Sequence, residues 1–438
     1  MNKEVKRKNI LVLCHQGFSF ADDLISQAHE CGFTATVLTS KIRADQSDRY
    51  HHLELKADFF FSTEQPALAH ADIHLALNTL QSREVDTVAC ISVWEGYRLL
   101  MAETNATLGA CDEQPERLAL VLDKYRLRLA LLNAHLSQTQ TCLLTDQSLP
   151  TFQSRAVFIK PRWGLGSFAA FRWTGEPLKE KLAELSKQMA TDVDYAGIFS
   201  APYEFVAEDE ICGHEYSFEV IAANGQPSIL AVHEKLDLDL EHGSVLEKSC
   251  AAPPISLPDV DLRNGIEFIH ATLKALSLRH GCYHIEARFN TATRKWEIIE
   301  INPRVGGAFI VQSTRWVSGH RSLRLWLESL VPSRTWQALG NENQLTTLES
   351  YCTAKGRSYF RVYFGTPGKQ INKIATTQSA PQPHSFRQLV KEGELLPHSN
   401  REIFLGQALW LLGATAGQDT ITELNEKSKT FFEVGYAN

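Results

Sequence analysis

The chain has 438 residues, too many for one ordinary core, and its 44% hydrophobic and 22% charged composition is that of a globular protein of two to four domains. A formal net charge of -7 supplies no overall basic field, which argues against a nucleic-acid or anionic-membrane partner. Nine scattered cysteines without a CxxC pair argue against a disulfide framework or a structural zinc site and predict a reducing, cytoplasmic setting.

The apolar run Ile10 to Cys14 is too short to span a membrane or form a signal core, and reads as a first strand covered on both faces. A turn at His15-Gln16-Gly17, a helix over Phe20–Cys31 stopped by Gly32, and a strand at Thr34–Leu38 follow. A helix over about Ala67–Arg83 and a strand over Asp86–Ser92 continue the alternation, which predicts a parallel sheet in the first 115 residues or so. Next come a helical stretch at Glu116–Leu136, strands at Ala156–Lys160 and Ala169–Trp173, and a helix over about Leu178–Met189. Strands near Tyr203–Val206 and Glu215–Ala222 and a helix at Leu262–Leu276 lead to a hairpin at 282–302. The last 90 residues or so carry short strands, Gly and Pro turns and a closing helix near Thr420–Lys429.

The hairpin is the most informative segment. A turn centred on Thr293 places Glu286 opposite Glu300. Alternation then puts His284, Glu286, Arg288 and Asn290, with Ile298, Glu300 and Asn302, on one face, and Tyr283, Ile285, Ala287, Phe289, Ile299 and Ile301 on the other. The second face is a core face. The first is too polar to be one. Opposed carboxylates on neighbouring strands lie roughly 5 Å apart at Cβ and repel. A divalent cation relieves that repulsion, and oxygen ligands from Glu286, Glu300 and Asn302 suit magnesium bridging substrate phosphates. A solvated face compensated by Arg288, or a glycosidase-type acid pair, are the competing readings. Pro303-Arg304-Val305-Gly306-Gly307 follows directly: a permanent cation for phosphate or oxyanion, and a glycine pair that exposes backbone N–H groups, or else a plain turn.

Upstream, Lys160-Pro-Arg-Trp-Gly164-Leu-Gly166-Ser167 is a strand ending in a lysine and running into a small-residue loop. A strand rather than a helix follows it, so the loop reads as a flap over a nucleotide and not as a dinucleotide turn. No G-x-x-x-x-G-K-[ST] occurs, which excludes a P-loop. Lys160 and Lys124, the latter on the 116–136 helix, are candidate phosphate-binding cations.

In this order the segments resemble the ATP-grasp superfamily, and most closely its carboxylate–amine ligase branch, which includes the L-amino-acid ligases and shares its core with biotin carboxylase and D-alanine ligase. Asp123-Lys124 with Arg128 is similar to the family's D-K-x-x-x-R helix, and Lys160-Pro161 with Gly164, Gly166 and Ser167 to its phosphate flap. Glu204-Phe205-Val206 resembles the hinge that holds the adenine, with Glu208–Gly213 as an added stretch. Glu215-Tyr-Ser-Phe-Glu219 resembles the ribose-binding strand. Glu286, Glu300 and Asn302 fall on the magnesium positions, and Arg304, Gly306 and Gly307 on the element that binds substrate carboxylate and oxyanion. Glu247-Lys-Ser-Cys250-Ala-Ala-Pro253 corresponds to a Glu-x-x-His-x-x-Pro substrate loop, with cysteine in place of histidine. Phe364-Gly-Thr-Pro-Gly368 is similar to a turn in the family's C-terminal part.

The resemblance implies an α/β and α+β multidomain protein: a Rossmann-like parallel sheet at 1–115, an ATP-grasp fold in two subdomains at 116–200 and 201–345, and a small mixed α/β domain at 346–438. It implies ATP and Mg2+ as cofactors, small-molecule carboxylate and amine substrates such as amino acids, an acyl phosphate between them, and the homodimer frequent in the family. Glu247, or His233 with Glu234, would take the amine proton, and Trp94 and Glu95 would form a wall of the acceptor site. A carboxylase-like or nucleotide-precursor ligase and a non-catalytic ATP-binding protein are the alternatives.

Overall fold

The computed structural model describes residues 7–18, 20–145, 157–199, 202–239, 245–331, 356–398 and 402–437. Ala156 and the domain boundaries expected at 200/201 and 345/346 lie outside the described residues.

Continuous apolar runs place four parallel strands at the start: β1 (Lys8–Cys14), β2 (Thr34–Thr39), β3 (Phe59–Ser62) and β4 (Asp86–Ile91), in the order β3-β2-β1-β4. Ile10 to Cys14 are fully buried, as a strand covered on both faces requires. Besides the expected helices at Ala21–Glu30 and His70–Ser82, the structure adds Ser47–Lys56 and Arg98–Leu108. The predicted 116–136 helix is two helices, Pro115–Leu122 and Lys124–Asn133. Asp123 breaks the run with extended backbone and caps the second helix, its carboxylate accepting from Arg126 N.

A small antiparallel sheet follows, ordered β5-β8-β6-β7: β5 (Thr141–Leu143), β6 (Val157–Pro161), β7 (Phe171–Trp173) and β8 (Phe205–Asp209). The third unit is an eight-stranded antiparallel sheet. It contains β9 (His214–Ala223), β10 (Gln226–Asp239), β11 (Leu246–Ala252), β12 (Gly281–Asn290), β13 (Lys295–Asn302) and β14 (Gly356–Phe364). Beyond the short β15 (Ile371–Thr376), β16 (Ser385–Gln388) and β17 (Phe404–Gly413) complete it, in the order β13-β12-β9-β10-β11-β14-β17-β16. Among the described residues, β18 (Phe432–Tyr436) pairs only with β15. Strands near the C-terminus therefore extend the sheet that carries the hairpin. No helix among the described residues is long and apolar enough to cross a membrane.

The hairpin register holds where it matters and slips elsewhere. Glu286 pairs with Glu300 and His284 with Asn302, but a bulge beyond that pair matches Ala287 to Ile298. One extra residue reverses the alternation. Ile298 therefore joins the core with Ala287 and Phe289, and Ile299, expected on the core face, borders the cleft described below. The tight turn at 291–294, one residue shorter than a turn centred on Thr293 needs, makes the bulge necessary.

Two buried arginines fix this hairpin. Arg128 donates from Nε to Glu208 (3.0 Å), from Nη1 to Glu297 (2.7 Å) and from Nη2 to the Ile298 carbonyl (2.6 Å). Arg98, paired with the buried Asp112, donates to the Pro303 carbonyl at 3.0 Å and so ties the N-terminal unit to the loop after β13. Arg128→Ala removes one of the two cations on the buried Glu208, leaving Lys160 as its partner, and frees Glu297 and the Ile298 carbonyl; breaking this buried network costs about 3–5 kcal/mol. Denaturant unfolding is expected to show that loss, and a change within about 0.5 kcal/mol would contradict the tie.

Candidate active site

Between the small sheet and the hairpin lies a cleft lined by Lys124, Lys160, the 164–168 loop, Glu208–Ile211, Glu215, Glu247, Glu286, Arg288, Ile299 and Glu300. The loop is shaped by backbone need. Gly166 has φ +61°, and a Cβ there would lie 2.7 Å from the Tyr195 hydroxyl. Ser167 and Ala169 also hold positive φ, a strained setting that small residues tolerate best. Lys160 ends β6 with its ammonium 2.7 Å from Glu208, and Lys124 donates to the Gly164 carbonyl at 2.7 Å and pairs with Glu300 at 3.2 Å. Burial lowers the Lys160 pKa, whereas for Lys124 the nearby Glu300 and Glu95 outweigh burial and raise it. Two ammonium groups thus face the loop, a suitable setting for a polyphosphate.

The floor is a cluster of carboxylates held by buried cations. Oxygens of Glu215, Glu247 and Glu286 lie within 4.8 Å of one another. Lys235, 6% exposed, bonds Glu247 and stands 3.5 Å from Glu286. His284 bridges Glu286 (Nε2, 2.9 Å) and Glu219 (Nδ1, 2.6 Å). Burial alone raises the Glu286 pKa, but Lys235 and His284 reverse this and hold it well below the usual range. Despite burial, Glu219 and Glu286 push His284 up to about 9, so it is an imidazolium at neutral pH. Arg288 pairs with Glu215 at 2.9 Å, and Asn302 Nδ2 donates to Glu300 at 3.0 Å. Glu286, Glu300 and the amide oxygen of Asn302 offer hard oxygen ligands beside Lys124 and Lys160, a donor set whose chemistry fits a magnesium ion.

A second, larger chamber opens from the same floor. Its walls include His15, Trp94 and Tyr195 on one side and Phe360, Phe364 and Phe404 on the other; Arg304, Gly307, Glu247, Glu286, Glu300 and Glu402 bring charge and backbone to it. Arg304 pairs with Glu95 at 3.1 Å, and Trp94 stacks on His15 with ring centroids 4.4 Å apart. Glu95, like Arg304, is therefore at the site. Gly306 sits behind the wall, where a Cβ would lie 2.6 Å from Ile310 and 2.7 Å from His284.

Several expectations need correction. Glu204, Phe205 and Val206 do not line the cleft: Glu204 pairs with Arg162 at 2.8 Å, and Phe205 and Val206 are buried in β8. Residues Glu208–Ile211, four positions on, line it instead. β8 runs to Asp209, so the first two residues of the stretch read as an addition, Glu208 and Asp209, are the strand end that meets the cleft. His233 is fully buried against Ser313 (2.7 Å), and Glu234 binds the 255–256 backbone, so neither reaches the chamber. Sequence reasoning gave no role to Lys235 or Glu402. Alternation along β10 puts Lys235 on the opposite face from Glu234, a signal usable once the inward face is known.

With this geometry in place, comparisons agree on the fold. Residues 153–312 match the ATP-grasp domain family. Among solved structures, an L-amino acid ligase from Bacillus licheniformis aligns over 99% of this chain and 100% of its own with TM-score 0.76 and 14% identity. A phosphoribosylglycinamide synthetase from Anaerococcus prevotii aligns over 99% and 100% with TM-score 0.62 and 12% identity. The biotin carboxylase domain of a single-chain bacterial carboxylase aligns over 98% and 90% with TM-score 0.62 and 16% identity. No curated protein matches the sequence.

The His284 imidazolium predicts a pH signature. Its folded pKa of about 9 exceeds its ordinary value of 6.5, so its stabilisation is complete below pH 6.5 and fades as pH rises toward 9. Unfolding measured with a chelator present should show this decline, and His284→Gln should flatten it; an unchanged slope in the variant would contradict the bridge.

Proposed function

We propose that this chain, an ATP-grasp protein, is a carboxylate–amine ligase that consumes ATP and joins small molecules such as amino acids by an amide bond. The observation that carries the reading is the pairing of Glu286 with Glu300 at the boundary between a lysine-lined cleft and a separate charged chamber. One compartment suits a nucleotide and the other suits the groups to be joined.

ATP is the co-substrate. The acid's carboxylate oxygen attacks the γ-phosphorus and ADP leaves, giving an acyl phosphate. The substrate ammonium first gives up a proton to free its lone pair; the amine nitrogen then attacks the acyl carbon, phosphate leaves with the C–O electron pair, and the second surplus proton passes to a carboxylate or solvent. Glu286, Glu300 and Asn302 would hold magnesium, which offsets phosphate charge when bound. Lys124, Lys160 and the 164–168 loop orient the polyphosphate, which is most of what phosphoryl transfer asks of a protein. Glu208–Ile211 border the place for the base, and Glu215 the ribose. Arg304 holds the acid's carboxylate and, with the Gly307 backbone, the oxyanion that follows. Glu247, turned toward Lys235, receives a proton at its carboxylate.

Two outcomes test this. Phosphate release from Mg-ATP, measured across amino acids singly and in pairs with mass spectrometry of the products, should appear with particular pairs and with a mass equal to their condensation. Glu300→Ala should retain its fold by circular dichroism and lose about 10²-fold or more in turnover, because several kcal/mol of charge stabilisation go with the ligand. Near-wild-type turnover in that variant would overturn the assignment.

A further inference from the structure

Glu402 has no place in the reading above, yet it is one of the most constrained acids in the molecule. It precedes β17, far in sequence from the hairpin, and is only 9% exposed. Its carboxyl lines the chamber together with Glu286, Glu300 and Arg304. Among the described residues it forms no hydrogen bond or ion pair. It ends beside the loop, with Oε2 3.8 Å from the position a side chain on Gly166 would take. A buried carboxyl aimed into a cavity without a partner is costly unless a ligand supplies one. Burial, with Glu286 and Glu300 nearby, outweighs the Lys235 ammonium and pushes its pKa up to about 8. Its position beside Glu286 and Glu300 suits a cation, which draws out the ionised carboxylate, whereas a second anion would add to the crowding of negative charge.

The wall around it indicates what carries that cation. Phe360, Val362 and Phe364 alternate along β14 onto the chamber, Ile310 joins them, and Phe404 meets Phe364 with ring centroids 5.3 Å apart. This surface is apolar and reaches Glu402 at the start of β17. Its complement is an ammonium group on an apolar body.

We propose that Glu402 binds the ammonium group of the amine substrate while the Phe360–Val362–Phe364–Phe404 wall takes its apolar body. This rests on the ligase reading and assigns its acceptor half. The arrangement places the nitrogen at the same floor as Glu286 and Glu300, where the acid is activated, and leaves Arg304 to the carboxylate.

Hydroxylamine separates the two readings, being uncharged at neutral pH and able to trap an activated acid as a hydroxamate without an ammonium site. Wild type, Glu402→Gln and Glu402→Asp are compared with the best acid from the amino-acid panel and with leucine, phenylalanine, isoamylamine or phenethylamine as amine. Glu402→Gln should raise the amine KM at least about 10-fold and lower the ratio of amide to hydroxamate by a similar factor, with Glu402→Asp in between. In wild type, preference for leucine and phenylalanine assigns the acceptor as an amino acid, and preference for their decarboxylated counterparts assigns it as a simple amine. An amine KM unchanged in Glu402→Gln, or equal loss of amide and hydroxamate, overturns the ammonium assignment and leaves the ligase reading standing. Wild type that makes neither product overturns both.

Discussion

Crowded negative charge is the constraint on which this structure depends. Glu215, Glu247, Glu286 and Glu300 converge on a few ångströms of sheet surface, with Glu219 directly beneath and Glu402 above. Left alone they would repel or take up protons. The protein places Lys235, His284, Lys124 and Arg288 among them, three of these being largely buried in their own right. The result is a floor of carboxylate oxygens held in fixed orientation, which is what a bound cation requires.

The rest of the fold serves that floor. Arg128 joins the Lys124 helix, the end of β8 and β13, so Lys124 and Lys160 are held in fixed positions against the hairpin. Arg98 fixes the Pro303 carbonyl and with it the direction of Arg304, which Glu95 holds from the N-terminal unit. Because β14 and β17 extend the same sheet, the chamber's apolar wall and Glu402 are fixed relative to the carboxylates by continuous backbone pairing. A site assembled from four distant parts of the chain thereby becomes rigid enough to orient reactants.

Much of this was legible in the sequence because it is local. The opposed acids, the glycine loop and the lysine at the end of β6 each sit on one strand or hairpin, where alternation and turn chemistry decide the outcome. The bulge was not legible: one residue of slippage moved Ile298 inward and Ile299 outward without disturbing Glu286 and Glu300. The part of β8 that meets the cleft lies four residues beyond Glu204–Val206 because the length of β8 depends on its pairing with β5 and β6, a tertiary fact. Lys235 and Glu402 were missed for the same reason. Each looks like an ordinary surface charge in sequence, and only the sheet brings them to the floor. The two compartments are read from geometry alone, and the ATP-grasp match covers the part that holds the phosphate loop and the hairpin.

Activation of the acid by phosphorylation is best tested by isotope transfer. The acid substrate is supplied with 18O in its carboxylate and the reaction run with Mg-ATP and amine in ordinary water. An acyl phosphate leaves one 18O atom in each inorganic phosphate released and none in the nucleotide. Label appearing in AMP would indicate adenylation instead, and unlabelled phosphate accompanying amide formation would contradict an acyl phosphate altogether.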